Sequence, residues 1–123
     1  MSDIDWLIET QFRHVGHWSN PHTKLQRLVR LERTPGIYAF VVEGQVRYIG
    51  KATSLQHRIR AYNRALIPET SRKFRKVHHA IQRVWTDSTT IDVWVYHFDE
   101  IKDEPLIRLE AKWINEKKPE WNG

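Results

Sequence analysis

The chain has 123 residues, 40% of them hydrophobic with six tryptophans, and a formal net charge of +5. This excludes a disordered chain, and the length fits one domain with a real core rather than two. The absence of cysteine excludes a disulfide framework and a thiolate metal site, and points to a reducing, cytoplasmic setting.

Ile4, Leu7, Ile8 and Phe12 space out as a short N-terminal helix with Asp3 or Ser2 as its cap. The opening MSDIDWLIET is acidic and lacks the apolar run of a signal peptide. No stretch approaches the roughly 20 apolar residues of a membrane helix, so no membrane association is expected. A second apolar rhythm, Leu25, Leu28 and Val29, runs up to Pro35 and Gly36, which break it. Residues 1–34 are therefore expected as a helical extension packed on a domain of residues 35–123.

From Ile37 the pattern becomes two β-rich runs around EGQ, a hairpin. A two-residue loop, Glu43 and Gly44, pairs Tyr38 with Ile49 and sends Tyr38 and Tyr48 to opposite faces. A three-residue loop, Glu43 to Gln45, pairs Phe40 with Tyr48 and puts both tyrosines on one face. Ser54 then caps a helix to about Leu66, stopped by Pro68. A second helix is expected from about Ser71 to Trp85, with Phe74, Val77, Ile81 and Val84 inside. TIDVWVYHF reads as a third strand, Ile91, Val93 and Val95 pointing one way and Trp94, Tyr96 and Phe98 the other. Apolar residues on both sides imply a strand covered on both faces. Asp103 and Pro105 open a final helix to about Glu116. The elements add up to an α/β (α+β) fold, a three-stranded antiparallel sheet flanked by helices on both faces.

Between Lys51 and Trp85 nine Lys/Arg residues stand against one acid, Glu69, whereas seven acids face five bases from Asp99 to Gly123. This excess suggests a polyanion, with Arg60, Arg64, Arg72, Lys73, Arg75 and Lys76 as phosphate contacts; the competing reading is a solvated helical surface. Arg58 falls on the edge of the Leu55, Ile59, Tyr62 and Leu66 stripe, either a boundary residue or a guanidinium aimed at a phosphate. Glu110 interrupts the apolar stripe of Leu106, Leu109 and Trp113. A carboxylate there is paired with Lys51 or Arg58, protonated, or bound to a cation such as Mg²⁺. The seven histidines, His14, His17, His78 and His79 among them, lack zinc-ligand spacing.

In order, GIY at Gly36 to Tyr38, YIG at Tyr48 to Gly50, KATSLQHRIRAY and LEAKWINEKKPEWN resemble the GIY-YIG nuclease domain from Pro35 to Asn122. That family includes homing endonucleases, some restriction enzymes, excision-repair incision subunits and junction-cleaving nucleases. The resemblance implies phosphodiester hydrolysis in DNA with one divalent metal, Mg²⁺ or Mn²⁺, held by Glu110. It assigns Tyr38 as general base or water-positioner with Tyr48 beside it, Lys51 as their electrostatic tuner, Arg58 on the phosphoryl oxygens and Asn122 as a structural support. Three functions compete: an active endonuclease, a binding module that does not cut, and a catalytic subunit waiting for a partner. The DNA can be branched or damaged, and the partner is a second copy of the chain or a DNA-targeting protein.

Overall fold

The chain runs through α1 (Asp3–Glu9), β1 (Arg13–Trp18), β2 (Gln26–Arg27), β3 (Gly36–Val42) and β4 (Gln45–Ala52). It continues through α2 (Leu55–Ala65), β5 (Ile91–His97), α3 (Asp103–Lys117) and a closing 3-10 turn, Glu120–Asn122. The structure, a computed structural model, describes residues 2–18, 26–27, 29–65, 77, 80–81, 83–84, 90–98 and 103–122.

Among the described residues the sheet has five strands in the order β2-β1-β5-β3-β4, all pairings antiparallel. β3 is hydrogen-bonded on both sides and buried at all seven positions, which fits a run, GIYAFVV, that carries no charged residue. The three expected strands, β5, β3 and β4, form one side of this sheet, and β1 and β2 enlarge it beyond the expected count. The segment before residue 35 is thus not wholly helical: among its described residues only Asp3–Glu9 is helix, and RHVGHW pairs with β5. A β-bulge between His14 and Gly16 explains why the pattern misled. It lets Val15 and Trp18, three apart, enter the same core cluster, so the strand lacks two-residue alternation.

The hairpin turn has two residues, Glu43 at φ 51° and Gly44 at φ 76°. Both are left-handed, the conformation of the tight turns that match strand twist and one that glycine accepts readily. Such a turn alone would separate the tyrosines. Arg47 instead bulges out of the ladder, so Val41 pairs with Val46 and Phe40 with Tyr48. Tyr38 and Tyr48 therefore share a face through a bulge rather than through a three-residue loop.

Helices cover both faces, as expected. On the first, Tyr38, Phe40, Val93 and Val95 pack with Leu55, Ile59 and Tyr62 of α2 and with the helical residues Val77 and Ile81. Phe74 of that expected helix lies outside the described residues. On the second face, Ile37, Ala39, Val41 and Ile49 pack with Trp6 and Leu7 of α1 and Leu106 and Trp113 of α3. The Asp5 backbone N–H donates to Ser2 Oγ at 3.1 Å, so Ser2 rather than Asp3 caps α1. Asp3 instead ties α1 to the sheet: it pairs with Lys117 at 2.7 Å and accepts from the Val46 N–H at 2.8 Å.

Candidate active site

On the first face, the Tyr38 and Tyr48 rings lie 6.0 Å apart. Gly50 is the ladder partner of Tyr38, and its missing side chain makes the room. A Cβ there would come within 2.5 Å of the Tyr38 ring end and hydroxyl. The phenol lies across the strand because YIG ends in glycine.

The two tyrosines differ in environment. Tyr38 is 2% exposed, and its hydroxyl shares a 2.9 Å hydrogen bond with that of Tyr62. Burial, then the neighbouring Tyr62 and Tyr48, push its pKa far above the ordinary phenol value of 10.0, and nearby Arg58 only partly opposes them. Tyr38 is a neutral phenol at any physiological pH. Tyr48 is half-buried and stacks on Phe40, 5.7 Å between centroids. Tyr62 joins the phenols as a third member. The helical stripe had marked it only as core, because its hydroxyl contact depends on how α2 docks on the sheet.

Arg58 is half-buried on α2, and no acidic partner lies within ion-pair distance of it among the described residues. Its charge is felt at Tyr38. That arrangement disfavours a paired role and leaves a guanidinium available to an anion.

Glu110 and Lys51 meet at the open edge of β4. Strand alternation turns the Lys51 side chain away from the face of Tyr48, contrary to the expectation that it tunes the tyrosines; its charge acts on Glu110. Burial raises the Glu110 pKa, while the Lys51 charge and backbone N–H hold it down in part. No ion pair within 4 Å joins Glu110 to Lys51 or Arg58 among the described residues. No group of three His, Asp or Glu side chains forms a metal cage among those residues. One half-buried carboxylate with no ion-pair partner among the described residues fits Mg²⁺, which keeps water or phosphate oxygens as its other ligands.

Asn122 acts like a short extra strand on the same edge. Its Oδ1 accepts from the Ile49 N–H and its Nδ2 donates to the Ile49 carbonyl, both at 2.8 Å. Of the basic candidates, Arg60 is exposed on α2 and Arg64 lies in its last turn. Arg72, Lys73, Arg75 and Lys76 lie outside the described residues. No helix among the described residues is long and apolar enough to cross a membrane.

Residues 34–123 match the family model of the UvrC-like GIY-YIG domain. The chain is 33% identical over 108 residues to UvrABC system protein C of Pseudarthrobacter chlorophenolicus, covering 85% of this chain and 14% of that protein. It is 32% identical over 103 residues to the protein of the same name from Caldicellulosiruptor saccharolyticus, covering 81% of this chain and 15% of that protein. The chain therefore spans a small fraction of the length of these curated relatives. Among solved structures it resembles bacteriophage T4 EndoII, with a TM-score of 0.78, 15% identity and 100% of both chains covered. It also resembles the magnesium-bound GIY-YIG N-terminal endonuclease domain of UvrC from Thermotoga maritima, with a TM-score of 0.54 and 24% identity over 76% of this chain and 88% of that one. The fold, the shared tyrosine face and the matched span agree, and the chain belongs to the GIY-YIG domain family in its UvrC-like form.

Proposed function

We propose that the protein is a divalent-metal-dependent DNA endonuclease that hydrolyses phosphodiester bonds. The observation that carries this reading is one face holding Tyr38, Tyr48 and Arg58, which has no acidic partner among the described residues, flanked by the half-buried carboxylate of Glu110 at the sheet edge. Tyr48, the more exposed phenol, orients the attacking water and relays its proton, accepting it while passing its own hydroxyl proton to bulk water. Tyr38 stays neutral and, through its bond to Tyr62, holds the phenol cluster in register. Of its two expected roles, positioning suits this environment and proton abstraction does not. Arg58 lies where charge builds on the phosphoryl oxygens. Glu110 would hold the metal, with Lys51 moderating its charge and Asn122 fixing the edge strand. When bound, Mg²⁺ or Mn²⁺ supplies Lewis-acid stabilisation of the departing oxygen. The absence of cysteine supports a cytoplasmic setting.

The test is incubation of supercoiled, linear and branched DNA with the protein in Mg²⁺ or in EDTA. Open circles that form only with the metal are the expected product. Binding without any cleavage, in Mg²⁺ and in Mn²⁺, would replace the enzyme with a non-cutting module. A second reading, a catalytic subunit that needs a partner, is favoured by the name of the relatives, UvrABC system protein C, which makes them one component of a system of several proteins. It predicts cleavage only when a second copy or a DNA-targeting protein is added.

A further inference from the structure

The bulge beside Tyr48 leaves a guanidinium incompletely satisfied. Arg47 is the residue that the bulge adds, and its Nη1 donates to the Glu120 carboxylate. Its Nε is buried and has no acceptor among the described residues. A buried charged donor left without a partner is costly, and native proteins hold few of them. Arg47 lines a cavity of about 260 Å³ whose apolar wall includes Ala80, Val84 and Trp121. Ala80 and Trp121 belong to the core cluster on the face of Tyr38, and Val84 and Tyr48 pack against that cluster. The cavity thus lies on the phenol side of the sheet. Arg83 lines it too, exposed and without an ion pair among the described residues.

We propose that this cavity is a second phosphate subsite, which takes a backbone phosphate next to the one being cut and holds it between Arg47 and Arg83. The proposal rests on the endonuclease reading. Arg47 precedes Tyr48 directly in β4, so the cavity adjoins the strand that carries the phenol, on the side a DNA strand crossing the phenols would reach. The planar guanidinium offers paired donors that match two phosphate oxygens. Glu120 is 67% exposed on its side chain, and an ion pair so exposed is weak. A phosphate bound by two arginines displaces it. Glu43 and Glu120 also line the cavity and balance its two positive charges. General attraction to a basic patch and recognition at this subsite therefore predict different outcomes.

Binding of a labelled duplex by the full chain in EDTA, measured across salt concentrations, separates them. Arg83→Ala is expected to weaken binding roughly threefold to tenfold near 0.1 M salt and to reduce the log–log salt slope by about one. Glu120→Gln removes the competing charge, so binding tightens by about twofold or more. Arg47→Lys keeps the charge but loses the planar fork, and binding falls as it does for Arg83→Ala. Melting curves alongside the parent ensure that folded proteins are compared. Arg83→Ala and Arg47→Lys within about twofold of the parent, or Glu120→Gln binding more weakly, overturn the subsite. If the parent binds and cuts DNA while these variants match it, the subsite alone fails. If the parent binds no DNA at any salt, the endonuclease reading falls with it.

Discussion

At the scale of single residues, Glu110 separates a metal ligand from a structural carboxylate. Burial raises its pKa above the ordinary 4.5, with Lys51 opposing. A carboxyl raised in this way holds its proton more tightly in the folded state than in the unfolded chain. It favours folding below about pH 4.5, and that advantage is lost as pH rises through its folded-state value. At neutral pH the ionised side chain works against the fold. Glu110→Gln is therefore expected to melt at or above the parent at pH 7, the gap closing towards pH 4. Duplex binding persists, while plasmid nicking falls by roughly 10² or more. A residue held by a buried salt bridge behaves in the opposite way, losing about 3–5 kcal/mol of stability when its partner contact goes. Gly50→Ala tests the phenol geometry from the other side. Its Cβ would sit 2.5 Å from Tyr38, whose buried ring must move. The expected cost is about 1–3 kcal/mol in thermal or urea melts, with cleavage reduced more than stability. A variant that melts and cuts like the parent removes the close approach from the account.

At the scale of elements, β3, β5, α2 and α3 were legible because each carries an uninterrupted signal. GIYAFVV is apolar throughout, TIDVWVYHF is apolar on both sides, and α3 begins with Asp103 and Pro105. Bulges hid the rest. Nothing in EGQVRY distinguishes a third loop residue from an extra residue at Arg47, since Gly44 serves a turn of either length. The His14 to Gly16 bulge removed the alternation that marks a strand. Asn122 was readable only as a support, because its role depends on β4 being the sheet edge. Its amide satisfies both backbone groups of Ile49. Asn122→Ala leaves them unpaired and is expected to cost about 1–3 kcal/mol. Asn122→Asp can accept from the Ile49 N–H but cannot donate to its carbonyl, so it should melt between the two. Amide exchange at Ile49 should speed up in the same order. Identical exchange in all three would show that the edge needs no such cover.

At the scale of the whole molecule, the charge map and the site make separable demands on binding and cleavage. Nine Lys/Arg residues between Lys51 and Trp85 stand against Glu69 alone, and the C-terminal stretch from Asp99 has more acids than bases. A chain polarised in this way should meet DNA through one region and repel it from another. If about five of the basic side chains reach phosphates, the log of the binding constant should fall with the log of salt at a slope of roughly −4 to −5. Arg58 belongs to this set by charge but not by place. It is half-buried beside Tyr38, whereas Arg60, two residues on, is exposed. Arg58→Ala should therefore change the slope by at most about one unit yet remove most cleavage, because it acts on charge that develops only during reaction. Arg60→Ala should change the slope by a similar amount and leave the maximal cleavage rate at saturating protein nearly intact. Filter binding across salt, together with single-turnover nicking of both variants, decides between them. A flat salt response would sink the polarised-surface account. Equal loss of cleavage in both variants would show that Arg58 is one more surface cation rather than part of the reacting face.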